Sequence, residues 1–247
     1  MRGGGVNEKV YIHEFIDITK QNRARYMHHM AANWSPLAQQ KRGQLCYGIW
    51  GAVGSTGRWP QVVNIWEEDG FDGLASSFRH ELGHADLQDP DLAKWWAGAA
   101  DLRSGGFDRI LVPHPDTLTI TELCQEGVGG EVYAHELVQV EPGTARCFLD
   151  IALADAYAGH HNHGWRLAGA WATAMRDNEE CVLLWVIPSW EAWAAVEADE
   201  SAGRPRLLSR TTGLVRRRRR ILLVDAPLSP FRTGRQPSES DRTSWPD

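Results

Sequence analysis

A chain of 247 residues can hold one large domain or two small ones. Hydrophobic residues make up 43% and charged residues 23%, enough for a sizeable globular core. The net charge of −6 excludes the basic footprint of a nucleic-acid binder, and no apolar run approaches the ~20 residues of a membrane helix. The expected partner is therefore a small molecule, with neither nucleic acid nor membrane.

The chain opens on Met-Arg-Gly-Gly-Gly, a polar turn without the apolar stretch of a secretion signal. Val10 to Ile18 is β-rich and apolar on both parities, which predicts a strand covered on two faces. Residues 19–33 carry Arg, Tyr, Met and Ala at helical spacing. Leu45 to Val53 reads as a second strand, Gly54-Ser55-Thr56-Gly57 as a turn and Gln61 to Glu67 as a third strand. A helix is expected over 71–84, a short one opening at Pro90, and a last strand from Arg109 to Pro113. The order β-α-β-β-α-β is the split βαβ arrangement. Four widely spaced cysteines (Cys46, Cys124, Cys147, Cys181) form no C-x-x-C pair, which points to reduced thiols and a cytoplasmic protein. Abundant Arg and Ala suggest a GC-rich bacterial genome.

The second half repeats the first. Val10 to Ile18 recurs as Val132 to Val140, Gly48-Ile49-Trp50 as Gly169-Ala170-Trp171, and Val63-Asn64-Ile65-Trp66 as Val182-Leu183-Leu184-Trp185. Phe71 to Ala75 answers to Trp190 to Ala194, Asp89 to Leu92 to Arg204 to Leu207, and Arg109 to Val112 to Arg220 to Leu223. A colinear series predicts an α+β protein made of duplicated ferredoxin-like halves that bury their bare sheet faces in one intramolecular α/β barrel. The expected layout is a first repeat over 8–116, a linker over 117–130, a second repeat over 131–228 and a flexible tail over 229–247 rich in Pro, Ser, Thr and Arg. Arg216 to Arg220 is expected as a solvated helix end, with an anion clamp as the alternative.

The paired Tyr11-Ile12-His13-Glu14-Phe15 and Tyr133-Ala134-His135-Glu136-Leu137, the Gly-x-Trp of the second strands, and Val62-Val63-Asn64-Ile65-Trp66 resemble the dimeric α/β-barrel superfamily, most of all its NIPSNAP-like branch. The resemblance spans about residues 8–228. It implies a barrel of the kind that serves monooxygenases, cyclases, isomerases, lyases and haem enzymes. Many relatives hold one repeat and dimerise; here the second repeat supplies the partner in cis, so a monomer or a homodimer is expected.

Three histidine groups are candidates for chemistry. His80-Glu81-Leu82-Gly83-His84 is a literal H-E-x-x-H, which on a helix could hold zinc with Glu81 as base, but Gly83 and Pro90 suggest that this helix is ending. His160-His161-Asn162-His163 could bind a metal if its imidazoles converge, or form a polar surface loop. The strand pairs His13-Glu14 and His135-Glu136 put ionisable groups on central strands, where each needs a partner or a proton. These four, with His28 on the first helix, are the candidate acids and bases. Tyr11, Trp50, Asn64, Trp66, Tyr133, Trp171 and Trp185 are the candidate substrate contacts, because twelve tryptophans either pack the core or wall a pocket for a flat apolar ligand. The expected function is a small-molecule enzyme using cofactor-independent acid–base chemistry, of cyclase, isomerase, lyase or monooxygenase type, on an apolar or aromatic secondary-metabolite substrate. The alternatives are a haem protein, a zinc-dependent hydrolase and a non-catalytic ligand-binding protein; no cofactor is favoured.

Overall fold

In the computed structural model, which describes residues 6–198 and 210–245, eight antiparallel strands close into one barrel. They are β1 (Val10–Ile18), β2 (Leu45–Ala52), β3 (Gln61–Glu68), β4 (Arg103–Pro113), β5 (Val132–Val140), β6 (Arg166–Thr173), β7 (Glu180–Ile187) and β8 (Val215–Asp225). Around the barrel they run β1-β3-β2-β8-β5-β7-β6-β4, so the first four strands are neighbours and the last four are neighbours. Short seams join the two sets, Trp50–Ala52 of β2 with Leu223–Asp225 of β8, and Leu111–Pro113 of β4 with Trp171–Thr173 of β6. Registers match between halves. His13 lies opposite Ile65 and His135 opposite Leu184, and β2 and β6 both shift register just before Gly48 and Gly169.

Strand alternation sorts side chains between interior and helix layer. Tyr11, Phe15, Trp50, Val63 and Ile65 meet Tyr133, Trp171, Val182 and Leu184 inside the barrel. Trp66 and Trp185 face outward, each into the helix layer of its own half. The Gly-x-Trp motif has a steric cause. A Cβ on Gly48 would stand 2.1 Å from the Trp50 ring, and one on Gly169 would stand 1.7 Å from the Trp171 ring. Each indole folds back over its own strand, and only glycine leaves room. The two tyrosines lock carboxyls at the barrel end: Tyr11 Oη donates to Glu67 Oε2 at 3.1 Å and Tyr133 Oη to Asp225 Oδ2 at 2.5 Å.

The helices are α1 (Arg23–His28), which continues through a π-helical segment (His29–Trp34) into α2 (Ser35–Arg42), then α3 (Gly70–Leu82), α4 (Ala93–Ala100), α5 (Ile120–Gln125), α6 (Ala145–Gly159), α7 (Trp190–Ala198) and α8 (Pro230–Thr233). The helix expected to end at 33 runs on to Arg42, with the π-helical segment His29–Trp34 directly before Ser35 and Pro36. The linker holds a helix, α5, closed by a capping box between Thr119 and Glu122. Two expectations need correcting. The five arginines form no helix end but lie within β8. The tail is not loosely held: Phe231 enters the interior against Tyr47, Trp50 and Tyr133, and Gln236 bonds both backbone groups of Cys46. The Arg204 to Leu207 match lies outside the described residues.

The match in the last strands is displaced by one residue. Tyr11 faces Leu111 and Tyr133 faces Leu223, so Arg109 corresponds to Ile221 and Asp108 to Arg220. One residue reverses the face on which each side chain points.

Gly48→Ala and Gly169→Ala should each cost about 1–3 kcal/mol by forcing an indole out of its packed position. Urea unfolding measures the loss, and unchanged midpoints would show that the rings have other room.

Candidate functional site

A hollow beside Glu14 lies between the sheet of the first half and its helices. It has a volume of about 430 Å³, within the range of small-molecule sites. Trp34, Trp66, Trp95 and Trp96 give it aromatic walls, Glu14 and Asp108 reach it from adjacent strands, and Arg103 contributes a cation. The tip of the β6–β7 hairpin, with Met175 at its apex, closes one side from the second half. The hollow exists because β4 and β6 part company below their short seam.

Glu14 points outward from β1 into this space. Its Oε2 accepts from Trp66 Nε1 at 2.8 Å and from Asn64 Nδ2 at 2.9 Å. Both bonds fall on one oxygen, and among the described residues Oε1 has no protein partner. Burial, followed by the neighbouring Asp108 carboxylate, raises Glu14 above the ordinary glutamate range against the two donors. Burial raises Asp108 as well.

The matching position in the second half is filled. Glu136, fully buried, meets two guanidiniums: Arg218 Nε donates to Oε2 and Arg220 Nε to Oε1, both at 2.7 Å. Arg220 also donates to Glu197 at 2.8 Å. Burial alone would raise Glu136, but the two arginines outweigh it and hold the carboxyl at about 2. By strand register, Arg218 and Arg220 stand where the first half has Gly106 and Asp108. The same acid is thus open to a cavity in one half and sealed by cations in the other.

His13 and His135 do meet, but inside the barrel, with their Nε2 atoms 2.9 Å apart and neither ring exposed. Burial lowers both below the ordinary histidine value, His135 to about 3 with Arg109 contributing, so at neutral pH one neutral ring donates to the other. Arg109 stands nearby and donates through Nε to Glu180 at 2.5 Å. Neither histidine lines the hollow. His28 bonds the Thr243 carbonyl at 3.0 Å and packs on the tail. Of the expected substrate contacts, Trp66 lines the hollow and Asn64 orients Glu14. Tyr11, Trp50, Tyr133 and Trp171 pack the interior, while Trp185 lies in the other helix layer.

The metal candidates do not assemble. His80 bonds Asp89 at 2.9 Å, Glu81 is paired with Arg42 at 2.6 Å, and His84 falls beyond the end of α3. His160 is buried against Trp165 and Trp185, while His161 is exposed. Among the described residues no group of three or more His, Cys, Asp or Glu is placed to hold a metal ion. As axial donors for a haem, the lining of the hollow holds Met30 and Met175 but no histidine, cysteine or tyrosine, whereas a second cavity beside β6 is bounded by His161.

Sequence reasoning missed Trp95, Trp96, Arg103 and Asp108. The signal for Asp108 was present: aligned by strand register, it is the acid that replaces Arg220.

Solved structures share this architecture. An anthrone oxidase-like protein superposes with a TM-score of 0.63 at 11% identity, over 89% of this chain and 92% of that one. A proposed monooxygenase from Lactobacillus acidophilus gives 0.59 at 11%, over 94% and 97%. A proposed chlorite dismutase gives 0.51 at 12%, over 90% and 98%. No family model and no curated protein matches the sequence. Among the described residues of this α/β barrel, no helix is long and apolar enough to cross a membrane.

Replacing Glu136 with alanine strands two arginines that are mostly buried, so stability at neutral pH should fall by about 3–5 kcal/mol. The carboxyl is depressed on folding, so its contribution is whole above the ordinary value of 4.5 and is lost as pH falls toward about 2. Denaturation of both proteins at pH 7 and pH 3 checks this: the gap should narrow at the lower pH, and an equal gap would contradict the charge argument.

Proposed function

We propose that this chain is a small-molecule enzyme in which Glu14 takes a proton from an aromatic substrate held among the tryptophans of the first-half hollow. The observation that carries the reading is a single carboxyl with one oxygen fixed by Trp66 and Asn64 and the other facing the hollow. A carboxyl raised by burial is a stronger base once ionised than a solvated one, and it sits nearer the operating pH. Flat aromatic walls suit a planar substrate, and Arg103, 5.2 Å from the Trp96 ring centre, offers positive charge to the anion left by proton removal.

Proton abstraction is the step that isomerisation, cyclisation, lyase chemistry and oxygenation by O2 without a cofactor have in common. The names of the monooxygenase and anthrone oxidase-like neighbours favour the last of these, on a substrate of the secondary-metabolite kind. We further read the two halves as a duplicated ferredoxin-like unit, placed nearest the NIPSNAP-like branch by the Tyr-x-His-Glu of β1 and β5. Both halves complete the barrel in cis, so a monomer suffices. The four unpaired cysteines fit a cytoplasmic setting.

Enolisable aromatic ketones in D2O provide the test, with exchange at the acidic carbon followed by NMR and oxygen uptake recorded beside it. The protein should catalyse exchange, and Glu14→Gln should slow it by about 10²–10⁴-fold while tryptophan quenching still reports binding. Exchange at the wild-type rate in Glu14→Gln, with loss of exchange in His13→Ala, would move the base into the barrel interior. Binding without exchange by the wild type would make the chain a ligand-binding protein.

The pH profile is a second check. A base needs the ionised form, and Glu14 is raised, so kcat/KM should climb with pH and level off only above the ordinary glutamate range. A plateau already reached at that range would assign the base elsewhere.

A further inference from the structure

A second cavity, of about 360 Å³, lies beside β6 in the other half, and a comparison within the molecule says what fits it. After β4 and after β8 the chain docks on the neighbouring strand in the same way. The His114 N–H donates to the Ala170 carbonyl at 2.8 Å, and the Ala226 N–H to the Ile49 carbonyl at 2.9 Å. The Ala170 N–H donates to Thr117 Oγ1 at 3.3 Å, and the Ile49 N–H to Ser229 Oγ at 3.4 Å. Thr117 and Ser229 each close a turn onto His114 and Ala226, at 2.8 and 3.0 Å.

Beyond that point the two segments part. The tail continues along β2, where the Gln236 carboxamide takes both backbone groups of Cys46. The Cys46 N–H donates to Oε1 at 2.9 Å, and Nε2 donates to the Cys46 carbonyl at 2.8 Å. The linker instead turns into α5 and leaves β6. Leu167 is the counterpart of Cys46: it faces Trp185 in β7 as Cys46 faces Trp66 in β3, next to the same register shift. Its N–H and carbonyl therefore face the seam and not β7. The pairing of β6 with β4 covers only Trp171–Thr173. Among the described residues no segment takes the place that Gln236 holds on β2, and the second cavity occupies it, bounded by Thr117, Leu118, Leu153, His161, Trp165 and Leu167.

We propose that this cavity binds a ligand carrying a primary carboxamide on an extended chain, gripped by the N–H and carbonyl of Leu167 as Gln236 is gripped by Cys46. A carboxamide offers a donor and an acceptor side by side, as a free strand edge demands, and it is the group that already fills the matching place on β2. A carboxylate would set an acceptor against the Leu167 carbonyl, and an alkyl group would leave both backbone groups unpaired.

The probe is the tetrapeptide acetyl-Gly-Arg-Gln-Pro-N-methylamide, the sequence of the tail around Gln236 with no primary carboxamide other than that of Gln, titrated into the full-length protein and followed by amide resonances. The expected result is a saturable shift of the Leu167 and Ala168 amides, with the Gln→Ala peptide binding about tenfold more weakly. The Gln→Glu peptide should weaken in the same sense. Equal shifts with all three peptides, no shift up to about 10 mM, or a shift confined to Cys46 by displacement of the tail would each overturn the proposal.

Discussion

A carboxyl on the central strand of each half points outward between sheet and helices, and that layer of the fold is arranged around the two of them. Neither acid can be left there bare. In the second half the answer is charge: Arg218 and Arg220, two residues apart on β8 and so on one face, close over Glu136 and fill its surroundings. In the first half the answer is neutral donors and a raised proton affinity. Trp66 and Asn64 hold one oxygen of Glu14, and the positions that carry arginines in β8 are Gly106 and Asp108 in β4. Taking away two long side chains at those positions leaves room, and the hollow stands there.

The interior imposes its own order on this layer. His13 and His135 touch across the barrel, so β1 and β5 must present the same parity to the centre. Once the histidines point inward, alternation sends Glu14 and Glu136 outward. The buried imidazole pair thereby fixes the direction of the acids without joining their chemistry. Arg109 shares this inner face, engages Glu180, and through its charge helps keep His135 neutral. Asp108 and Arg109 are consecutive on β4, which is why one lies with Glu14 while its neighbour lies with the histidines.

Much of this was legible in the residues. The strand limits of β1, the repeated Tyr-x-His-Glu and the Gly-x-Trp pairs were readable because they reflect local sterics and period-two burial. Glu14, Asn64 and Trp66 were named for their positions on matched strands. What could not be read was assembly across the seams. Trp95 and Trp96 sit on a helix that has no described counterpart in the other half, so no internal comparison singled them out. The arginine run looked like a helix end because exposed strand and exposed helix are equally polar, and only the partner Glu136 shows that alternate arginines share a face. The tail looked unstructured because its anchors, Phe231 and Gln236, are two residues in a polar stretch.

Asymmetry between matched halves separates two demands that one site would have to reconcile. A stable barrel wants its outward acids neutralised, and the Glu136–arginine cluster does so with cations from within the chain. A catalytic or binding acid wants an oxygen without a partner and a space before it, which weakens the layer locally. The sealed carboxyl stands on β5 and the open one on β1. The hairpin tip carrying Met175 comes from the sealed half and closes one side of the hollow in the other. The two halves are therefore unequal in role while equal in register: one furnishes the acid and the aromatic walls, and the other furnishes part of the enclosure and the stability that an open buried carboxyl removes.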